Sequence, residues 1–247
     1  MASQKRACVF ILAIVFMLCF LNQSHAVASA IDHNTTTCGN NTISLTARDI
    51  EDDIVVSLYY ESLCPYCADF IVNQLVKVFE TDLVHIVKLR LIPWGNTQIT
   101  PNNTWICQHG PDECTLNMVE ACAIHVWPNP ALHYKFIYCI ESLRLKNEHN
   151  KWQSCFNTLG INSTPIRNCL NTGLAVKLEQ GYADETAHLN PPHRFVPWVL
   201  VNNLPLQEDY QNFVAYICKA YRGTVTPQAC KSHALGVNSD KMVNATQ

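Results

Sequence analysis

The sequence predicts an α/β fold in which a β-α-β unit is followed by a helical insert and then by β-β-α. Three observations carry this. Ile54–Tyr60 (IVVSLYY) is β-branched and aromatic with no breaker, the composition of a buried strand. Cys64-Pro65-Tyr66-Cys67 follows after a short connection and opens a segment with Ala68, Ile71, Val72, Leu75, Val78 and Phe79 at helical spacing. Between residues 105 and 188 β-branched runs are absent, and strand character returns only at Phe195.

The elements follow in order. Pro65 suits a first helical turn, where its missing N–H is no loss. Residues 84–92 alternate Val87, Leu89 and Leu91 against Lys88 and Arg90, which predicts a second strand before Pro93-Trp94-Gly95-Asn96. The intervening helix is long enough for a crossover, so this strand runs parallel to the first. Helices are expected at 115–127, 132–145, 152–159 and 165–180, separated by Pro128-Asn129-Pro130 and Leu159-Gly160. Residues 195–201 and 204–206 are two strands joined at Asn202-Asn203, and 208–221 is a closing helix with Tyr210, Phe213, Val214, Ile217 and Tyr221 on one face. The polar tail, 223–247, is expected to fray apart from Cys230.

The ends of the 247-residue chain set its address. Lys5 and Arg6 precede an apolar run over 8–21, then small residues, the pattern of a secretory signal peptide over 1–26 with cleavage at the latest after Ala30. That run is short for a membrane span. Residues 27–52 are a polar lead-in, and 53–222 form the folded domain with its insert at about 105–188. Without the signal the formal net charge falls from −3 to −5, with no basic patch to engage nucleic acid. Sequons at Asn34, Asn40, Asn102, Asn162 and Asn244 fit a glycosylated lumenal protein. No membrane or nucleic-acid partner and no metal or organic cofactor is implied.

Of thirteen cysteines, Cys8 and Cys19 leave with the signal, and in an oxidising compartment most of the rest should pair. Cys64 with Cys67 is one pair, and Cys218 with Cys230 a second. Cys107, Cys114, Cys122, Cys139, Cys155 and Cys169 allow fifteen connectivities, among which the spacing does not choose. Cys38 is left over as a free thiol or an intermolecular link. No second C-x-x-C is present to complete a zinc ribbon.

A dicysteine on a helix N-terminus has a mechanism built in. Unpaired N–H groups and the positive end of the dipole favour the thiolate of the first sulfur. Cys64 is therefore the expected nucleophile and Cys67 the resolving thiol, with Pro65 and Tyr66 between them as candidate substrate-positioning residues. An ordinary cysteine of pKa about 8.5 is only about 0.03% thiolate at pH 5. Work in acid needs a depression of about 3 units, or about 4 kcal/mol.

The order β-α-β, C-x-x-C, then a proline-led strand and β-β-α resembles the thioredoxin fold, which implies that Pro197 is cis and faces the dicysteine, positioning substrate. The helical insert is similar to that of bacterial periplasmic disulfide oxidases. A narrower resemblance lies in residues 107–122, CQHGPDECTLNMVEAC, where Cys107, Gln108, His109, Gly110, Glu113, Cys114, Asn117 and Cys122 match a signature of the gamma-interferon-inducible lysosomal thiol reductase family. With Val196-Pro197-Trp198 the resemblance covers roughly residues 50–222. It implies a soluble thiol reductase of acidic endolysosomal or vacuolar compartments, acting on disulfides of unfolding proteins and recycled by a small thiol or a protein reductant.

Within the signature, Cys107, Cys114 and Cys122 are expected to be bridges, His109 a loop histidine, and Glu113 and Asn117 caps at a helix start. Trp198 is expected to pack. Pro65-Tyr66 is also the dipeptide of glutaredoxins, which leaves open a disulfide oxidase or isomerase of the secretory pathway. A saposin-like binding module would also hold six cysteines among helices, but the spacing differs and the strands would be unexplained.

Overall fold

Strand β1 (Ile54–Tyr60) is buried at every position but Val55, because it takes partners on both edges. The protein is described by a computed structural model over residues 53–102 and 104–231, with the backbone of a separate small hairpin, Thr36–Cys38 against Asn41–Ile43. Strand β2 (Val87–Pro93) pairs with β1 in parallel, in register from Ile54 with Val87 to Tyr60 with Pro93. On the other edge β5 (Trp198–Val201) is antiparallel to β1, and β6 (Leu204–Pro205) is antiparallel to β5. The sheet order is β2-β1-β5-β6. Strand β2 begins later than the alternation implied, since Asp82–His85 forms a 3-10 turn whose Leu83 N–H is taken by Thr81.

The crossover starts as α1 (Pro65–Asp69), passes through a π segment (Phe70–Leu75) and ends as α2 (Lys77–Glu80). A regular helix was expected. Tyr134 of the insert donates its hydroxyl to the Ile71 carbonyl at 2.7 Å, inside the π segment, so the insert supplies a partner for the disturbed ladder. Ala68, Ile71, Leu75 and Val78 still point inward.

A hairpin of β3 (Gln98–Ile99) and β4 (Trp105–Ile106), too short to leave a periodic signal, leads into the insert. The helices are α3 (Pro111–Val126), α4 (Pro130–Leu145), α5 (Ser154–Leu159), α6 (Thr164–Asn171) and α7 (Leu174–Ala187). The single helix expected over 165–180 is two, because Gly173 at φ 77° breaks the chain where only glycine is at ease. After β6, Gln207–Asn212 is a 3-10 turn and only α8 (Phe213–Ala220) is α-helical. Residues 223 to 231, expected to be loose, are held back on the domain: Cys230 is bonded to Cys218, and Asp82 accepts the N–H groups of Gln228 and Ala229.

Two cores result. Val56, Leu58, Phe70, Leu75, Val199, Phe213 and Ile217 fill the space around the sheet. Leu116, Val119, Phe136, Ile140, Phe156 and Ile166 fill the insert, stapled by Cys122–Cys169 and Cys139–Cys155. Leu63, from the loop between β1 and α1, belongs to the second core, so the insert grips the chain just ahead of the dicysteine.

The insert also buries three carboxyl groups. Glu120, Glu141 and Glu179 are at most 1% exposed. Tyr60 donates to Glu120 Oε2 at 2.6 Å, and the charge of Glu120 adds to burial in raising Glu141. Burial pushes Glu120 up to about 8 and lifts Glu141 and Glu179 well above the carboxylate range. The folded chain thus keeps protons that the unfolded chain releases near 4.5. Stability falls as pH rises from about 4.5 to about 8, the span between the unfolded value and that of folded Glu120. Thermal unfolding scans should give the highest Tm at the acid end, each kcal/mol of this linkage moving Tm by about 2–4 °C. Glu179→Gln should flatten the dependence, and a Tm that rises over the interval would contradict it.

Candidate active site

Where β1 ends, the chain turns through Glu61, Ser62 and Leu63, all buried. Ser62 N–H donates to Asn117 Oδ1 at 3.0 Å, and its hydroxyl to the Glu113 carbonyl at 3.3 Å. Arg144 Nε donates to the Leu63 carbonyl at 2.6 Å, and Cys64 N–H closes a turn onto the Glu61 carbonyl at 3.3 Å. Asn117, expected to cap a helix start, instead lies fully buried inside α3 and holds this loop.

Cys64 is the extended residue ahead of α1, with Pro65 in the first turn as expected. Cys64 and Cys67 are both free thiols; Cys67 is fully buried and Cys64 4% exposed, while Pro65 and Tyr66 project outward. Across from them the Val196–Pro197 bond is cis, as is Asn190–Pro191, and the Cys64 thiol points at the Val196 carbonyl, 3.9 Å away. A cleft of about 290 Å³ runs along this seam, lined by Cys64, Tyr66, His109, Arg194, Phe195 and Val196 among others. A larger hollow of about 800 Å³, between Phe79 and the Tyr134–Tyr138 face of α4, does not reach the dicysteine. Trp198 packs as expected, 1% exposed and edge-on to Phe195.

The two thiols are driven apart in acidity. The Cys67 S–H donated to Cys64 is the largest influence on Cys64, which burial opposes and which the N–H groups of Cys67 and Tyr66 and the charge of His109 reinforce; the result is a fall to about 7. Burial, and then the neighbouring sulfur, push Cys67 well up. At pH 5 a thiol of pKa about 7 is about 1% thiolate, about thirtyfold more than an ordinary cysteine. That is less than the depression expected from the sequence, and it leaves room for other groups in the cleft.

Three such groups meet beneath it. His109 Nδ1 is 2.5 Å from Glu113 Oε2 and 3.4 Å from Glu61 Oε2. His109 N–H also donates to Glu113 Oε1 at 3.1 Å, so Glu113 does cap the chain ahead of α3 while its other oxygen holds the imidazole. Asn96 N–H donates to Glu61 Oε1 at 2.5 Å. Glu61 is pushed up to about 7, chiefly by burial and then by the charge of Glu113. His109 is a satisfied loop histidine, as expected, held by Glu113 four residues on; what sequence proximity does not suggest is that long-range folding also brings Glu61 to the imidazole. Glu61, Gly95 and Arg144 were not singled out at all; the available signal was an acid ending an apolar strand just before the dicysteine.

Among the described residues the other cysteines pair as Cys107–Cys114, Cys122–Cys169, Cys139–Cys155 and Cys218–Cys230. Cys107–Cys114 ties the β3–β4 hairpin to the start of α3, bracketing His109. The Asn102 and Asn162 sequons are exposed, whereas Asn34, Asn40, Asn244 and the Cys38 side chain lie outside the described residues.

A β-α-β unit with a dithiol at its first helix, faced by a cis-proline that leads into β-β-α, defines a thioredoxin-like thiol-disulfide oxidoreductase. The model of the family described as gamma interferon inducible lysosomal thiol reductase (GILT) matches residues 55–159. The chain is 45% identical to the gamma-interferon-responsive lysosomal thiol protein of Arabidopsis thaliana, over 73% of this chain and 77% of that one. It is 35% identical to the gamma-interferon-inducible lysosomal thiol reductase of Mus musculus (85% and 86% covered) and 37% to that of Carassius auratus (72% and 72%). The chain belongs to the GILT family. DsbA from Mycobacterium tuberculosis superposes with a TM-score of 0.49 at 13% identity, covering 83% of this chain and 95% of that one, and the fold assignment rests instead on strand order.

Gly95 gives the Glu61 seat a direct test. It sits at φ 56°, and a Cβ there would overlap the Glu61 side chain, whereas Gly160 at φ 63° has open space around it. Both Gly→Ala changes should cost about 1–2 kcal/mol in backbone strain. Gly95→Ala should add about 1–3 kcal/mol for overpacking, read as the difference between the two in urea unfolding. Equal costs would mean that Glu61 moves aside freely.

Proposed function

We propose that this oxidoreductase works as a lumenal disulfide reductase through Cys64 and Cys67, in an acidic compartment. The observation that carries the reading is the asymmetry of the two thiols: Cys64 at the cleft, lowered to about 7, and Cys67 buried beneath it with its acidity suppressed. The Cys64 thiolate attacks one sulfur of a protein disulfide, forms a mixed disulfide and expels the other sulfur as a thiolate. Cys67 then gives up its proton and attacks Cys64, releasing the second substrate thiol and leaving Cys64–Cys67 oxidised. Two electrons have passed from the dithiol to the substrate, and a small thiol or a protein reductant returns them.

The Val196 carbonyl and cis-Pro197 edge supply backbone against which an extended, unfolding substrate would lie, with Tyr66 and Pro65 at the rim. The signal-like N-terminus, the disulfides and the names of the lysosomal relatives support a lysosomal, vacuolar or other secretory lumen. Among the described residues no helix is long and apolar enough to cross a membrane. The sequons are proposed glycosylation sites.

One observation favours a second reading. The hydrogen bond from Cys67 to the Cys64 sulfur stabilises the reduced pair, which is the property of a disulfide donor. Equilibration with glutathione, scored by mass spectrometry, separates the two. A potential at or below about −200 mV supports the reductase, and one near −120 mV the oxidase or isomerase.

Cys64→Ser should abolish turnover of a disulfide-bonded protein substrate. Cys67→Ser should complete the first attack and then accumulate a substrate adduct of Cys64. Residual turnover in Cys64→Ser, or an adduct on any other cysteine, would overturn the assignment.

A further inference from the structure

Resting on the reading of Cys64 as nucleophile, we propose that Glu61, His109 and Glu113 are positioning residues that act as one proton-loaded site beneath it: an imidazole held between two buried carboxylates, whose charge at the dicysteine moves from negative toward neutral as it takes up protons, so that the thiolate gains most support in acid.

The geometry supports a shared proton. Both glutamate side chains are fully buried, while the imidazole is 31% exposed and lines the same cleft as Cys64. Of the four carboxylate oxygens, three are engaged, by Asn96 N–H, His109 N–H and His109 Nδ1. The fourth, Glu61 Oε2, has no hydrogen bond and faces the imidazole at 3.4 Å. Two buried carboxylates about one ring nitrogen are costly unless a proton or a cation lies among them. A zinc ion bound at about 2.0–2.2 Å would hold tetrahedral ligand atoms roughly 3.3 Å apart. The 2.5 Å between His109 Nδ1 and Glu113 Oε2 is the spacing of a hydrogen bond, so the occupant is a proton.

The charge balance sets the sign. As pH falls through about 7, Glu61 takes up a proton and an anion beside Cys64 disappears. Cys64 and Glu61 raise each other's affinity for protons, and a cationic His109 lowers that of Cys64, so protonating the site makes Cys64 easier to ionise. Other groups face the dicysteine from each element packed there. From α1 comes Cys67, the proton donor to Cys64. From α4 come Glu141, kept protonated by burial, and Arg144, bonded to the Leu63 carbonyl. From the segment before β5 come Arg194, in the cleft, and His193, held to Asn96 at 3.2 Å and lowered by burial. The guanidinium groups form a constant background. His193 adds positive charge only at the acid end and so works in the same direction.

The test is the rate of Cys64 alkylation by iodoacetamide, read by mass spectrometry on the reduced protein from about pH 4 to about pH 9, where the rate follows the thiolate fraction. The unaltered protein should give a profile broader than a single ionisation, because Cys64 and the site titrate over the same range about 7 and influence each other. Glu61→Gln removes the anion: the profile should sharpen to a single ionisation, with alkylation near pH 7 raised about threefold or more, the equivalent of about half a pKa unit. His109→Gln removes the cation and should slow alkylation at the acid end by a similar factor, whereas His109→Lys should restore it. A single-ionisation profile in the unaltered protein would overturn the proposal without any variant, and so would unchanged profiles in folded Glu61→Gln and His109→Gln. Loss of turnover in Cys64→Ser with no effect of Glu61 or His109 on the profile would leave the reductase standing and remove only this site. A broadened profile in a protein that reduces no disulfide would do the reverse.

Discussion

Everything at the dicysteine depends on how the insert holds residues 61–63. This loop must turn from a central strand into a helix whose first sulfur faces solvent, and its polar backbone is buried as it does so. Water cannot reach those groups, so Asn117 of α3 takes the Ser62 N–H and Arg144 of α4 the Leu63 carbonyl, while the Ser62 hydroxyl donates to the Glu113 carbonyl and Leu63 seats in the apolar core of the insert. Leaving such a group unpaired costs about 1–3 kcal/mol. The position of Cys64 is thereby tied to helices that enter the chain some fifty residues later, 55 in the case of Ser62 and Asn117. The insert is part of the active-site scaffold, and its disulfides hold a wall of the cleft as well as a core.

Burial and charge then divide the ionisable groups into two sets. Glu120, Glu141 and Glu179 lie deep, keep their protons and weaken the fold as the medium becomes basic. Glu61, His109 and Glu113 lie at the edge of the cleft, where one face is buried and the other meets solvent. The first set favours acid through stability, and the second is the one proposed to act on the sulfur.

The strand, the dicysteine, the position of its helix start and the helical character of the insert were legible because each is written in local periodicity. So was the cis-proline, through the resemblance of Val196-Pro197-Trp198. The regular crossover helix was not: the π segment is accompanied by Tyr134, a residue from another helix. The single helix over 165–180 failed at Gly173, where a positive φ, invisible to hydrophobic spacing, ends α6. The chain after Gly223 looked loose, although its Cys218–Cys230 bond was expected, because its other anchor, Asp82, lies far back along the chain.

The sequence by itself determined the candidate dithiol and its acidity trend, since a helix start with proline in its first turn supplies N–H groups to whatever sulfur precedes it. It also determined that the middle third would be helical and cysteine-rich. Only the tertiary structure decided which of fifteen connectivities the six insert cysteines take, and that His109 meets Glu61. Both are contacts between segments distant along the chain, and their free energy comes from burial and closure, which no window of neighbouring residues records.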